Sequence, residues 1–235
     1  MESAEEALSA YFQDLGEAVA ANIEAQKSAA APARKDFTVP QVFGFDEWMS
    51  ALEETVRAIA EEAARQGYLT GLDRIGAEGD FDPESRAAQE TIRRLVEKSE
   101  TITRTTEQGL REEIRQGLEE NEPVDQIASR VRGYVDDAQS NRVPTIAQTT
   151  VTGGFESQQL EAFREAGFEG KRWITQRDGE VRPSHEAAGT QERPLEVPFE
   201  VGGASIMYPG DPSGPVEEVA NCRCTMFPVR ELDQT

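Results

Sequence analysis

At 235 residues the chain has room for one large domain or two small ones, each able to bury a core. A net charge of −21, with no run of Lys and Arg, argues against sequence-independent binding to nucleic-acid backbone and fits a protein that docks on a basic surface or avoids sticking to DNA. Two cysteines one residue apart exclude a disulfide framework, and no apolar run approaches the ~20 residues of a membrane span.

Residues 2–28 carry Ala7, Leu8, Tyr11, Phe12, Leu15, Val19 and Ile23 at three- and four-residue steps, which predicts an amphipathic helix. An Ala/Pro stretch ends it, and Pro32 and Pro40 mark a linker to about residue 40. A second helix is expected over 45–67, with Phe45, Trp48, Met49, Leu52, Val56 and Ile59 as its stripe and Gly67 as its stop. Residues 68–82 read as a loop. Their acids Asp73, Asp80, Asp82 and Glu84 lack the spacing of a calcium loop and read as a solvated turn. Helices follow over 83–98 and 103–119. Another starts after Pro123, and one more is opened by Pro144 and closed by Gly167.

After 168 the pattern changes. Residues 171–175 read as a strand, Asp178-Gly179 as a hairpin turn, and 180–182 as its returning strand. Residues 197–201 and 204–208 flank Gly202-Gly203 as a second hairpin, and 224–229 alternate as a final strand. The fold class is therefore mainly α: a helical N-terminal region followed by a small α+β C-terminal module. The divisions expected are 1–40, a helix and linker able to serve as a docking arm; 41–99, a helical region; and 100–235, with helices over 100–167 and the α+β cap over 168–235.

The last quarter holds the rare residues: the only histidine, His185, and both cysteines, in Asn221-Cys222-Arg223-Cys224. His185, Cys222 and Cys224 are tentative zinc ligands, with Asp178 or Asp211 as a fourth, although Cys-x-Cys is not the usual knuckle spacing. Cys222 or Cys224 with His185 and Asp178 could instead form a nucleophile, base and orienter, but no nucleophile-turn, phosphate-loop or paired-carboxylate motif accompanies them. The favoured account is a structural polar network of Trp173, Asp178, Arg182, His185, Asp211, Asn221, Cys222, Arg223 and Cys224, with guanidinium forks matching carboxylates. The thiols read as reduced, as in a protein made in a cytoplasm. The acidic start, Met1-Glu2-Ser3-Ala4-Glu5-Glu6, does not look like a signal peptide.

An ordered set of segments carries a family resemblance. It begins with the helical run Thr101–Asp137 and the segment Arg142-Val143-Pro144-Thr145-Ile146-Ala147-Gln148-Thr149, followed by Phe163-Arg164-Glu165-Ala166-Gly167. It continues through Trp173-Ile174-Thr175, Asp178-Gly179-Glu180-Val181-Arg182-Pro183-Ser184-His185, Gly189, Pro198-Phe199 and Pro209-Gly210-Asp211, and closes on Asn221-Cys222-Arg223-Cys224. Over about 100–228 the chain resembles the Mu F-like (SPP1 gp7-like) minor head, or head morphogenesis, proteins of tailed bacteriophages. Two departures stand out. Thr150 occupies a position that is usually acidic in the family. Arg182-Pro183-Ser184-His185 stands where one branch has Cys-Pro-x-Cys, which lessens the case for zinc.

The resemblance implies a minor capsid protein of the virion, bound at the portal vertex or capsid interior during head assembly, with release alongside the genome as a further expectation. Its partners would be the portal protein and the major capsid protein, with no membrane and no strong direct nucleic-acid binding. Its work would be binding and assembly, not turnover. The rival class is a metal- or thiol-dependent hydrolase or toxin-like enzyme using His185 with Cys222 or Cys224.

Overall fold

The computed structural model describes residues 2–29, 42–176 and 179–232. The expected linker up to residue 40 and the turn residue Asp178 lie outside them. Among the described residues, five long or medium helices come first: α1 (Glu2–Ala29), α2 (Phe45–Ile75), α3 (Arg86–Val96), α4 (Lys98–Glu119) and α5 (Val124–Glu165). The C-terminal module follows as β1 (Gly170–Ile174), α6 (Pro183–Ala188), β2 (Glu192–Pro194), β3 (Phe199–Val201), β4 (Ala204–Ile206), α7 (Val216–Val219) and β5 (Thr225–Val229). This is the mainly α fold with a small α+β end that the sequence predicts.

The chain groups into two compact units, each discontinuous in sequence, whereas the sequence reading divided it into consecutive segments. One comprises Glu2–Thr55 with Glu97–Pro144; the other comprises Val56–Val96 with Thr145–Thr235. In the first unit the α1 stripe is wholly buried at Leu8, Phe12, Leu15, Val19 and Ile23. Tyr11 meets Trp48 edge-on at 5.8 Å and donates to the Trp48 carbonyl at 3.1 Å. Gly16 lets Val135 approach to within 3.0 Å of where a Cβ would stand. The apolar face of the expected docking arm is thus already covered inside its own unit.

The second unit holds the C-terminal module. Gly67 does not stop α2, which continues to Ile75; residues 68–75, expected as loop, are helix. A Cβ at Gly67 would lie 2.0 Å from the Phe155 carbonyl oxygen of α5, and one at Gly71 would lie 2.8 Å from Ala162 Cβ. These glycines are bare so that two helix backbones can touch, a long-range reason that local propensity does not carry. Nor does Pro144 open a helix: α5 runs 42 residues straight through it. The missing N–H leaves the Ser140 carbonyl without its i+4 donor, and the division between the units falls at this residue.

The sheet also differs from expectation. Residues 180–182 form no strand; Arg182 instead precedes Pro183, which begins α6. The partners of β1 come from further along the chain, giving the order β2-β1-β5, all antiparallel, with Gly170↔Pro194 on one side and Trp173↔Met226 on the other. The second hairpin is as predicted: β3 and β4 pair Val201↔Ala204, and Gly202 and Gly203 have φ of 60° and 83°. Positive φ at both central residues is the turn that suits strand twist, and glycine adopts it without strain. A core of Trp173, Ala188, Phe199, Val201, Ile206, Val219, Cys222 and Cys224 fills the module.

Candidate functional site

Three short pieces bring the rare residues together. Pro183 at the first turn of α6 sets its start, so that His185 faces inward and is 2% exposed. Asn221 takes a left-handed φ of 52°, which turns the chain sharply after α7. Cys222 and Cys224 then both enter the core, at 1% and 6% exposure, and both are free thiols. His185 Nδ1 lies 3.3 Å from Cys224 Sγ and 3.7 Å from Cys222 Sγ. The three potential donor atoms all lie within 4.8 Å of one another, so this group could hold a metal ion.

The other ring nitrogen, His185 Nε2, lies 3.1 Å from a Glu218 carboxylate oxygen. The pair is close enough for charge attraction but lacks hydrogen-bond alignment, so Nε2 has no formal hydrogen-bond partner. Glu218 is itself held by Ser184 Oγ at 2.8 Å. Trp173, wholly buried, stands edge-on to His185 with ring centroids 5.5 Å apart. The hydrogen bond from Cys224 holds Cys222 well below the usual thiol range, against burial and with help from His185. Cys224 is correspondingly pushed up by the Cys222 sulfur. Burial acts to lower His185, but the Cys222 sulfur and Glu218 outweigh it and keep the imidazole above its ordinary value. The site thus favours a thiolate at Cys222 beside an imidazole that holds its proton more tightly than usual.

Of the expected network, Trp173, His185, Cys222 and Cys224 pack together. Arg182, Asn221 and Arg223 line a cleft of about 160 Å³ that the same three donors open onto, with Gln176, Glu180 and Val181. Arg182 donates to the Ala220 carbonyl. Asp211 lies elsewhere: its carboxylate accepts from Met207 N–H at 3.0 Å, Ser213 N–H at 2.9 Å and Ser213 Oγ at 2.6 Å, pinning its own loop. Asp178 lies outside the described residues. Among the described residues no fourth His, Cys, Asp or Glu joins the donor group.

A polar ladder on α5 is the part that sequence reading missed. Asn221 N–H donates to Thr149 Oγ1 at 2.9 Å. The Cys222 carbonyl accepts from Thr152 Oγ1 at 2.9 Å and Gln148 Nε2 at 3.3 Å. Glu156 accepts from Met226 N–H at 3.1 Å, and the Met226 carbonyl accepts from Gln159 at 3.1 Å and Arg74 at 2.9 Å. Polar residues at three- and four-residue steps from 148 to 159 were the available signal. Reading only the apolar stripe concealed it, because α5 is buried nearly all round between 152 and 160. Burial raises the Glu156 carboxyl to about 8. Lys171, also fully buried, donates to the Leu195 and Met207 carbonyls at 2.8 Å each, and burial lowers it to about 7.

Thr152→Val should lower stability by about 1 kcal/mol, since it leaves the Cys222 carbonyl with Gln148 alone. A drop of a few degrees in thermal midpoint is expected, together with faster modification of the two thiols by an aromatic disulfide reagent. Unchanged thiol kinetics would show that the ladder does not hold this segment.

Comparison with protein-family models, curated proteins and solved structures finds no match to this chain.

Proposed function

We propose that this chain is a minor head protein of a tailed double-stranded DNA bacteriophage, binding the portal vertex or capsid interior during assembly. One observation carries the reading. Most of the distinctive residues in the resemblance fall in one small module, where Trp173, His185, Cys222 and Cys224 are buried against one another. That is the disposition of residues that brace a fold more than of residues displayed to a substrate. The strong acidity suits a protein working beside packaged DNA without adhering to it.

In this reading zinc is the cofactor of the module, held by His185, Cys222 and Cys224. Zinc–ligand bonds of usual length in a tetrahedron place N and S donors about 3.6 Å apart. The two His185–sulfur distances, 3.3 and 3.7 Å, bracket that separation. Glu218 beside the far ring nitrogen is the carboxylate that commonly orients a metal-bound histidine. Arg182 would not oppose the ion once binding had released the second thiol proton, because two thiolates would offset its charge.

The test is co-expression with the portal and major capsid proteins of the phage that encodes the chain. The wild-type protein should sediment with assembled particles, and Trp173→Ala should reduce its incorporation severely. A chain that sediments alone at every ratio of partners would overturn the assignment.

A further inference from the structure

Resting on the zinc reading above, we infer that metal retention is coupled to the β3–β4 hairpin through Glu218, a positioning residue wedged between His185 and the bare backbone of Gly202. The metal would take Nδ1 of His185, the ring nitrogen that faces both sulfurs at 3.3 and 3.7 Å. A neutral imidazole that gives Nδ1 to a metal keeps its proton on Nε2. Nε2 is buried with no hydrogen bond among the described residues, and the Glu218 carboxylate lies 3.1 Å from it. A carboxylate placed there receives that proton and fixes the ring for the metal.

The hairpin holds that carboxylate in place. Ser184 Oγ donates to the oxygen nearest the ring at 2.8 Å. The other oxygen lies 2.0 Å from where a Cβ on Gly202 would stand, and the carboxyl carbon lies 2.7 Å from it. Gly202 therefore serves two ends: it supplies the turn's positive φ of 60°, and it leaves room for Glu218. Gly203 shares the positive φ, at 83°, but a Cβ there would meet nothing within 4 Å among the described residues. The two glycines thus separate backbone strain from displacement of the carboxylate. A methyl group at 202 meets the end of a flexible side chain, so Glu218 swings away from His185 while the module keeps its packing.

Zinc affinity of the full chain, measured in competition with a chromogenic chelator, tests this without requiring any activity. Glu218→Gln should weaken zinc binding by about tenfold, the lower end of the range for residues behind a metal-bound histidine. Gly202→Ala should weaken it as much, and Gly203→Ala should leave it unchanged. Gly202→Ala added to Glu218→Gln should cost nothing more, which marks one shared path and not two separate losses of stability. With ¹¹³Cd in place of zinc, the single histidine should show its one-bond coupling at Nδ1. The coupling runs both ways, so zinc should slow amide exchange at residues 201–204 in the wild type and not in Glu218→Gln. Zinc held equally by wild type and Glu218→Gln, additive losses in the double variant, or cadmium coupled to Nε2 would overturn this inference and leave the metal reading intact. No zinc bound to the folded wild type would overturn both.

Discussion

Gly67→Ala should destabilise the protein by about 3 kcal/mol, the upper part of the usual cost of overpacking. Helix propensity points the other way, since alanine gains up to about 1 kcal/mol over glycine inside an exposed helix. Geometry decides the sign. The added methyl would stand 2.0 Å from the Phe155 carbonyl oxygen, and the obstacle is backbone, which cannot rotate aside. The α2 and α5 backbones would have to separate, disturbing Gly71 against Ala162 and Gly154 against Ala63 in the same seam. A fall in thermal midpoint of roughly 6–12 °C is expected for a chain of this size. Gly133→Ala is the control: it lies within α5 with nothing within 4 Å, so it should be neutral or slightly stabilising. Equal effects at the two positions would show that close approach is not why Gly67 is glycine.

Glu156→Gln should flatten the pH dependence of stability between about pH 5 and 8, and should stabilise the protein at the upper end of that window. Burial raises the folded carboxyl from 4.5 to about 8. Below pH 4.5 it is protonated in both folded and unfolded chains, and the fold carries no penalty from it. Between the two values the unfolded chain releases the proton while the folded chain keeps it, so stability falls as pH rises. For this group alone the slope approaches about 1.4 kcal/mol per pH unit. Above pH 8 both states are ionised and the penalty stays constant. Glutamine keeps an acceptor for Met226 N–H but cannot ionise, so its denaturation midpoint should lose this slope. An unchanged slope in denaturant titrations at pH 5, 6.5 and 8 would place the effect elsewhere.

Much of the architecture was legible because it is written locally. The α1 stripe from Leu8 to Ile23, the Gly202-Gly203 turn and the final alternating strand each follow from neighbouring residues. The crowding of His185, Cys222 and Cys224 into one module was also legible, as were Arg182 and Arg223 beside them. What failed depended on distant chain. A glycine inside a helix and a glycine ending one look alike until α5 is laid against it. Pro144 reads as a start because nothing nearby reveals a helix continuing past it. The strand at Trp173 pairs with residues near 226, and no local turn signal announces that. Glu218 carries no mark in the sequence and gains its place only because α7 sets it beside His185. Asp211 misled in the opposite direction: a rare-looking Pro-Gly-Asp holds a loop and nothing else among its hydrogen bonds.

The pinning of Met226 has a consequence for association. It sits on the strand at the rim of the three-stranded sheet, where an unoccupied peptide group would invite a foreign strand to zip on. Glu156, Gln159 and Arg74 already occupy that peptide's donor and acceptor. A newcomer would have to evict three anchored side chains, one of them a buried acid, before forming its first rung. That rim is therefore proofed against runaway stacking when many copies crowd together at high local concentration.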